Sequence, residues 1–252
     1  MKKTLFISLA FLSLVFTSCL ETTQEVNLKQ DGSGTLVVKN DFSQAIGMAK
    51  TMGGTADLEK QGMEKMDTTF SLEQMAGEIP NLTDAERATV KKGTMAMKMD
   101  LEKELFVVEI ALPFADANEL AACNKLSAKL MSEALKSSMG EIAGQAGGDA
   151  PGNITTIDDY YIMSAEKGQL AKTLNKEMYA GVESDEGMKM LQQTAAMGLT
   201  MKSNYVINLP SPATEVTGKS AKLSDDKMKV TINVTIDDFF NDPSSLEYSV
   251  KY

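Results

Sequence analysis

Apolar and polar residues alternate with a period of two in several stretches of this chain, and the stretches come in pairs. Val26 and Leu28 alternate with Glu25, Asn27 and Lys29, and Leu36 and Val38 flank Val37 just before Lys39. Asp31-Gly32-Ser33-Gly34 separates the two runs, so a β-hairpin is predicted. A second hairpin follows from Met95, Met97, Met99 and Leu101, a tight turn at Glu102-Lys103, and Phe106, Val108, Ile110 and Leu112, ended by Pro113. Two more strands are expected within 155–174 around Lys167-Gly168. Three others follow: Leu199 to Leu209, Met228 to Ile236 and Leu246 to Tyr252.

Helical spacing appears between these runs. Ser43 offers a cap for a helix through Ile46, Met48 and Met52, with Gly53-Gly54 as its stop. Short helices are expected near Leu58–Met66 and Thr83–Val90, and an amphipathic one over Glu183–Met197. Asp116, with Glu119 three residues on, has the form of a capping box. Beyond it Leu120, Cys123, Leu126, Leu130, Ala134 and Leu135 fall near one side of a helix that Gly140 would stop. Hairpins followed by helices, with no strand–helix–strand alternation, predict an α+β fold. Its antiparallel sheet is built from β-hairpins, with a long helix and shorter helices packed on one face. The expected organisation is one domain over 24–252, with a Gly-rich connection at 140–153 where it would divide into two halves.

Charge narrows the partners. The chain has 25 basic and 35 acidic residues. Residues 1–18 hold Lys2 and Lys3 and no acid, so without them the balance is 23 against 35. Phosphates repel such a surface, and nucleic acid is not an expected partner. Anionic head groups are poor partners for the same reason.

The N-terminus adds an address. Lys2-Lys3 precede an apolar run from Leu5 to Phe16 of about 12 residues, too short to span a bilayer and typical of a secretory signal. Small Thr17 and Ser18 then precede Cys19. Phe16-Thr17-Ser18-Cys19 resembles the lipobox of bacterial lipoprotein signals, with Phe16 where an aliphatic residue is commoner. The resemblance implies that 1–18 is a lipoprotein signal peptide, that Cys19 is the lipid attachment site, and that 19–23 is a lipidated tether. One acyl chain holds a protein only marginally, so stable attachment to the membrane takes the two or three chains such a cysteine carries. Leu20-Glu21 after the cysteine favours an outer membrane facing the periplasm, with the acidic tag for surface exposure incomplete. With Cys19 acylated, Cys123 has no partner in its own chain. A weaker similarity rests on three stretches: the strand–Asp31-Gly32-Ser33-Gly34–strand, Tyr205-x-x-x-Leu209-Pro210, and Pro243-x-x-Leu246-Glu247-x-x-x-x-Tyr252. It is to the LppM-type lipoprotein domain, and it implies a sheet-rich envelope domain for lipid-like molecules with no catalytic residues to carry over.

No constellation for chemistry emerges from the residues. Met95-x-Met97-x-Met99 offers soft thioethers suited to Cu(I), but on a strand they read as a packed face. With no His in the chain, metal and cofactor sites are not expected. Cys123 lies mid-helix among apolar neighbours, where its thiol pKa should rise. Ser164-Ala-Glu-Lys167 and Ser224-Asp-Asp-Lys227 match a Ser-x-x-Lys spacing without the accompanying motifs. Asp31-Gly-Ser-Gly34 lacks the Lys of a P-loop. Asp158-Asp159, Asp225-Asp226 and Asp237-Asp238, with Asp242, read as solvated turns rather than acid–base pairs or a calcium loop.

The expected function is therefore a membrane-anchored, non-enzymatic binding or structural module. Its apolar or lipid-like ligand would lie between sheet and helix, near Met95–Met99 and Leu120–Leu135. The alternative is a hydrolase of envelope polymers using carboxylates gathered by the fold. Replacing Cys19 by Ser should move the protein from the membrane to the soluble fraction with its circular dichroism unchanged. Retention in the membrane fraction would refute anchoring through Cys19.

Overall fold

The computed structural model describes residues 19–51, 55, 64–77, 79–80, 82–145, 156–166, 168–196 and 200–252. The first hairpin pairs β1 (Cys19–Leu28) with β2 (Gly34–Asp41). Its turn closes through Gly32 N to Lys29 O and Lys29 N to Ser33 O, with Gly32 at φ 86°. That backbone conformation favours glycine. Asp31 accepts from both the amide and the hydroxyl of Ser33, so the Asp-Gly-Ser-Gly stretch is spent on the turn itself. Because β1 begins at Cys19, residues 19–23 are sheet and not a tether. Their polar composition conceals a strand whose even positions, Thr22 and Gln24, continue the period of Val26 and Leu28.

The second hairpin joins β4 (Thr94–Asp100) to β5 (Leu105–Phe114). Ahead of it lies β3 (Lys65–Ser71), which pairs with β4. Lys65 and Met66 therefore open a strand where a helix was expected. Met66, Thr68 and Phe70 share a face, and Phe70 packs on the core. Of the rest of that expected helix, 58–63 lies outside the described residues, as do Met52 and Gly53-Gly54. The short helix expected near Thr83 forms over Asp84–Val90 and starts with a capping box: Glu86 accepts from Thr83 N, and Thr83 Oγ1 accepts from Glu86 N.

A third hairpin, β6 (Tyr161–Glu166) and β7 (Gln169–Leu174), turns at Gly168. Later come β8 (Thr200–Asn208), the short β9 (Glu215–Thr217) and β10 (Ala221–Leu223), β11 (Lys229–Thr235) and the terminal β12 (Tyr248–Lys251). β9 and β10 were not expected, because three residues are too few to show a period. Nor was the helix at Ile236–Asn241, which ends β11 with its own Thr235/Asp238 capping box.

The strands form two sheets. The larger runs β10-β11-β8-β1-β2-β5-β4-β3 and the smaller β6-β7-β12-β9. The α+β class is as expected, but the large sheet is mixed. β1 and β8 are parallel, and every other pairing is antiparallel. Register places Ile232, Tyr205, Gln24, Val38, Ile110 and Met95 in one row across the large sheet. Most of that row is buried core. Met95 and Met99 lie inside it and Met97 packs against it, as the packed-face reading of the methionines expects.

The helices are α1 (Ser43–Thr51), α2 (Asp84–Val90), α3 (Ala117–Gln145), α4 (Lys176–Tyr179), α5 (Glu186–Ala196) and α6 (Ile236–Asn241). α3 packs on β5 and β2 of the large sheet and on β6 of the small one. Leu120, Cys123, Leu126 and Leu130, spaced at helical intervals, are all buried there. Each such leucine contributes about 1.5–3 kcal/mol on burial. Asp116 accepts from Glu119 N, while the Glu119 carboxylate reaches back to Ala115 N. Residues 140–145 are helical rather than the start of a linker, and 146–153 lies outside the described residues.

Close packing at the first turn gives a test. A Cβ on Gly34 would lie 2.2 Å from Asn27 O and 2.4 Å from the Phe114 ring, whereas one on Gly77 would meet nothing within 4 Å. Gly34→Ala should lose about 1–3 kcal/mol in denaturant unfolding. Gly77→Ala should range from neutral to about 1 kcal/mol more stable.

Candidate functional site

Where β1, β2 and β8 face α3, the apolar face of the sheet is interrupted by small and polar side chains. Thr22 stands opposite Asn40 and Ser203, and Gln24 opposite Val38 and Tyr205. The facing side of α3 presents Asn124, Ser127, Ala128, Met131 and Ser132. These side chains are too short to fill the gap between the two layers, and a cleft of about 260 Å³ is left. Val38, Met131, Ile157, Leu191 and Met201 supply its apolar wall. This is the sheet-and-helix interface expected to hold a ligand, but on different strands. Met95 and Met99 are buried in the core and do not line the cleft, which lies over β1, β2 and β8 instead.

One end of the cleft is closed by a buried ionic network. A 3-10 turn at Ile157–Tyr160 inserts Asp158 between the two sheets. Its Oδ1 accepts from the Lys172 ammonium and, at 3.0 Å, from the Tyr205 hydroxyl. Its Oδ2 accepts from Gln24 Nε2 at 2.5 Å. Lys172 comes from β7, where Leu170 and Leu174 share its parity and place it on the inward face of the small sheet. Its side chain is 2 % exposed and that of Asp158 is 13 % exposed. The ammonium lies 4.0 Å from the centre of the Tyr205 ring and 4.8 Å from that of Tyr161, so the aromatic faces share in stabilising its charge.

Burial pushes the Asp158 carboxyl upward, but the Lys172 charge and the hydrogen bonds from Lys172, Gln24 and Tyr205 together hold it below the ordinary aspartate range. Tyr205 moves the other way. Burial and the adjacent Asp158 charge raise it well above its usual value, and it remains a neutral donor. The expectation that Asp158 lies in a solvated turn is thus overturned. Asp159, its neighbour, caps the same turn through Thr156 and pairs with Lys125 at 3.6 Å.

The other sequence candidates are dispersed. Cys123 is buried, its thiol pushed up to about 11 by burial and by the Glu119 charge. Ser224 donates to Asp226 in the turn before β11, and Lys227 sits there at φ 58°. Asp238 caps α6, and Asp242 pairs with Lys219. Among the described residues no group of three Cys, Asp or Glu is placed to hold a metal ion. A second depression, of about 400 Å³, is lined by Lys50, Glu64, Lys65, Asp100, Leu101 and Glu102. Its Asp100 is already paired with Lys65 and Lys103.

Sequence reasoning missed Lys172, Gln24 and Tyr205 as a group, although parity marked each. A lysine between Leu170 and Leu174, and a glutamine two residues before Val26, are polar residues on apolar faces. Asp158→Asn removes the counter-charge and should cost about 3–5 kcal/mol of unfolding free energy at pH 7. Adding Lys172→Met should recover much of it. The carboxyl lies below its ordinary 3.8 in the folded protein, so its contribution is complete above that value and is lost as pH falls through the lower folded one. Melting followed from pH 6 downward should therefore fall less steeply below about pH 4 for Asp158→Asn than for the parent; parallel curves would refute the assignment. No protein-family model, curated protein or solved structure matches the chain.

Proposed function

We propose that this protein is an envelope lipoprotein, held at the membrane by acyl chains on Cys19, that acts as a non-enzymatic binding module for a lipid-like or other apolar ligand. The observation that carries the reading is the cleft between the large sheet and α3, with its wall of Val38, Met131, Ile157, Leu191 and Met201. Its place in the reading is that of a seat for a ligand chain between a sheet and a long helix lying on one face. Adaptable methionine at two of the five wall positions suits a ligand of irregular shape. The proposed location is the outer membrane, facing the periplasm. No helix among the described residues is long and apolar enough to cross a membrane.

The reading prefers binding to hydrolysis because of what lines the cleft. Glycoside hydrolysis needs two carboxyl groups flanking the bond to be cut. Asp158 is the one carboxylate on the cleft lining among the described residues, and both of its oxygens are engaged within the protein. Native mass spectrometry of protein taken from its own cells should show a co-purifying adduct, lost in Met131→Trp, which fills the cleft. A bare parent protein, or an adduct that survives in Met131→Trp, would overturn the proposal.

A further inference from the structure

We infer that the cleft selects an amphiphile with a single apolar chain and an uncharged, hydroxyl-bearing head; the inference rests on the ligand-binding reading above and specifies its ligand. Three observations lead there. The first is the blind end. Gln24, Asn124 and Tyr205 line both the cleft and a small void of about 10 Å³ behind it, which Lys172 and Tyr248 close. A head group entering the cleft meets this end.

The second observation is an orphaned acceptor. Asn124 Oδ1 is buried and has no hydrogen-bond partner among the described residues. Its Nδ2 donates to the Met163 sulfur at 3.5 Å. A buried acceptor left unmet is costly, and its chemical complement is an O–H or N–H donor. Asn124 sits on α3 where it lines the cleft, so a ligand hydroxyl is the group that can reach it.

The third is charge. Asp158 and Lys172 neutralise one another, and the other polar groups on the lining are hydroxyls and amides. A carboxylate or phosphate head would lose its hydration beside Asp158, with the Lys172 ammonium already committed to that carboxylate. The excess of acidic residues over the whole chain adds to that rejection. A cationic head would have to displace Lys172 from Asp158 and sit against its ammonium. An uncharged head meets neither obstacle. The volume of about 260 Å³ equals roughly nine water shares of ~30 Å³, which admits one chain and not a pair.

Calorimetric titration of purified Cys19→Ser protein at pH 7.5 tests this with 1-decanoylglycerol, decanoate and decyltrimethylammonium, each below its micelle threshold. The glycerol ester should bind at least tenfold more tightly than either ion. Asn124→Ala favours helix and should melt like the parent, yet weaken the ester about tenfold, the worth of one buried hydrogen bond. It should leave the two ions within twofold. If an ionic ligand binds as tightly as the ester, or Asn124→Ala leaves the ester unaffected, the uncharged-head inference fails while the binding reading stands. If none of the three binds, both fail.

Discussion

The buried network around Asp158 and Lys172 ties together two sheets that share no strand pairing. The lysine belongs to the small sheet, the aspartate to a 3-10 turn, and the Gln24 and Tyr205 that complete the carboxylate's shell belong to the large sheet. Removing two charges from water is expensive, and such pairs seldom add net stability over an apolar substitute. Their effect is conditional. Once the charges are buried, any arrangement that separates the sheets strips Asp158 of its Gln24 and Tyr205 donors and Lys172 of the Tyr205 ring. The network therefore acts against alternative packings of the two sheets, and it also sets the closed end of the cleft.

The cleft arises from the same strands by a simpler cause. Across most of the large sheet the inward row is leucine, isoleucine, valine and methionine, and α3 settles on it with nothing between. At Thr22, Asn40 and Ser203 the inward face turns small and polar at one residue level across three adjacent strands. Thr22 donates to Asn40 there at 2.9 Å. The helix opposite answers with Ser127, Ala128 and Ser132 rather than with leucine. Close packing in protein interiors makes such a coincidence of small side chains a matter of volume. A sheet and a helix held apart by their larger neighbours cannot collapse into it.

Much of the architecture was legible in the sequence because it is written in periods of two and 3.6. The strands of the first two hairpins and the buried side of α3 each follow from a run long enough to show its period. What escaped was either too short or misleading in composition. β9 and β10 have three residues each. β3 packs only Met66 and Phe70 against the core in a stretch otherwise polar. The parallel partnership of β1 with β8 has no local signature at all, since hairpin signals report only neighbours along the chain. For the cleft, a place between sheet and helix was readable, but not the strands involved. Asp158 looked like any surface acid beside Asp159, and only the fold brings Lys172 to it.

The parallel pairing of β1 with β8 also orders events in time. Side chains bonded across it, Glu21 with Asn204 and Glu25 with Asn208, are separated by 183 residues. Closing so long a loop carries a chain-entropy cost that must be met before the contact returns anything, and topologies rich in such contacts fold slowly. β1 can pair with β2 as soon as both exist, yet its other edge stays uncovered until β8 has been made. For that interval the hairpin exposes a strand edge able to pair with other chains. Were the chain exported amino end first, it would pass through this stage outside the cytoplasm, and shielding that edge would fall to whatever accompanies it there.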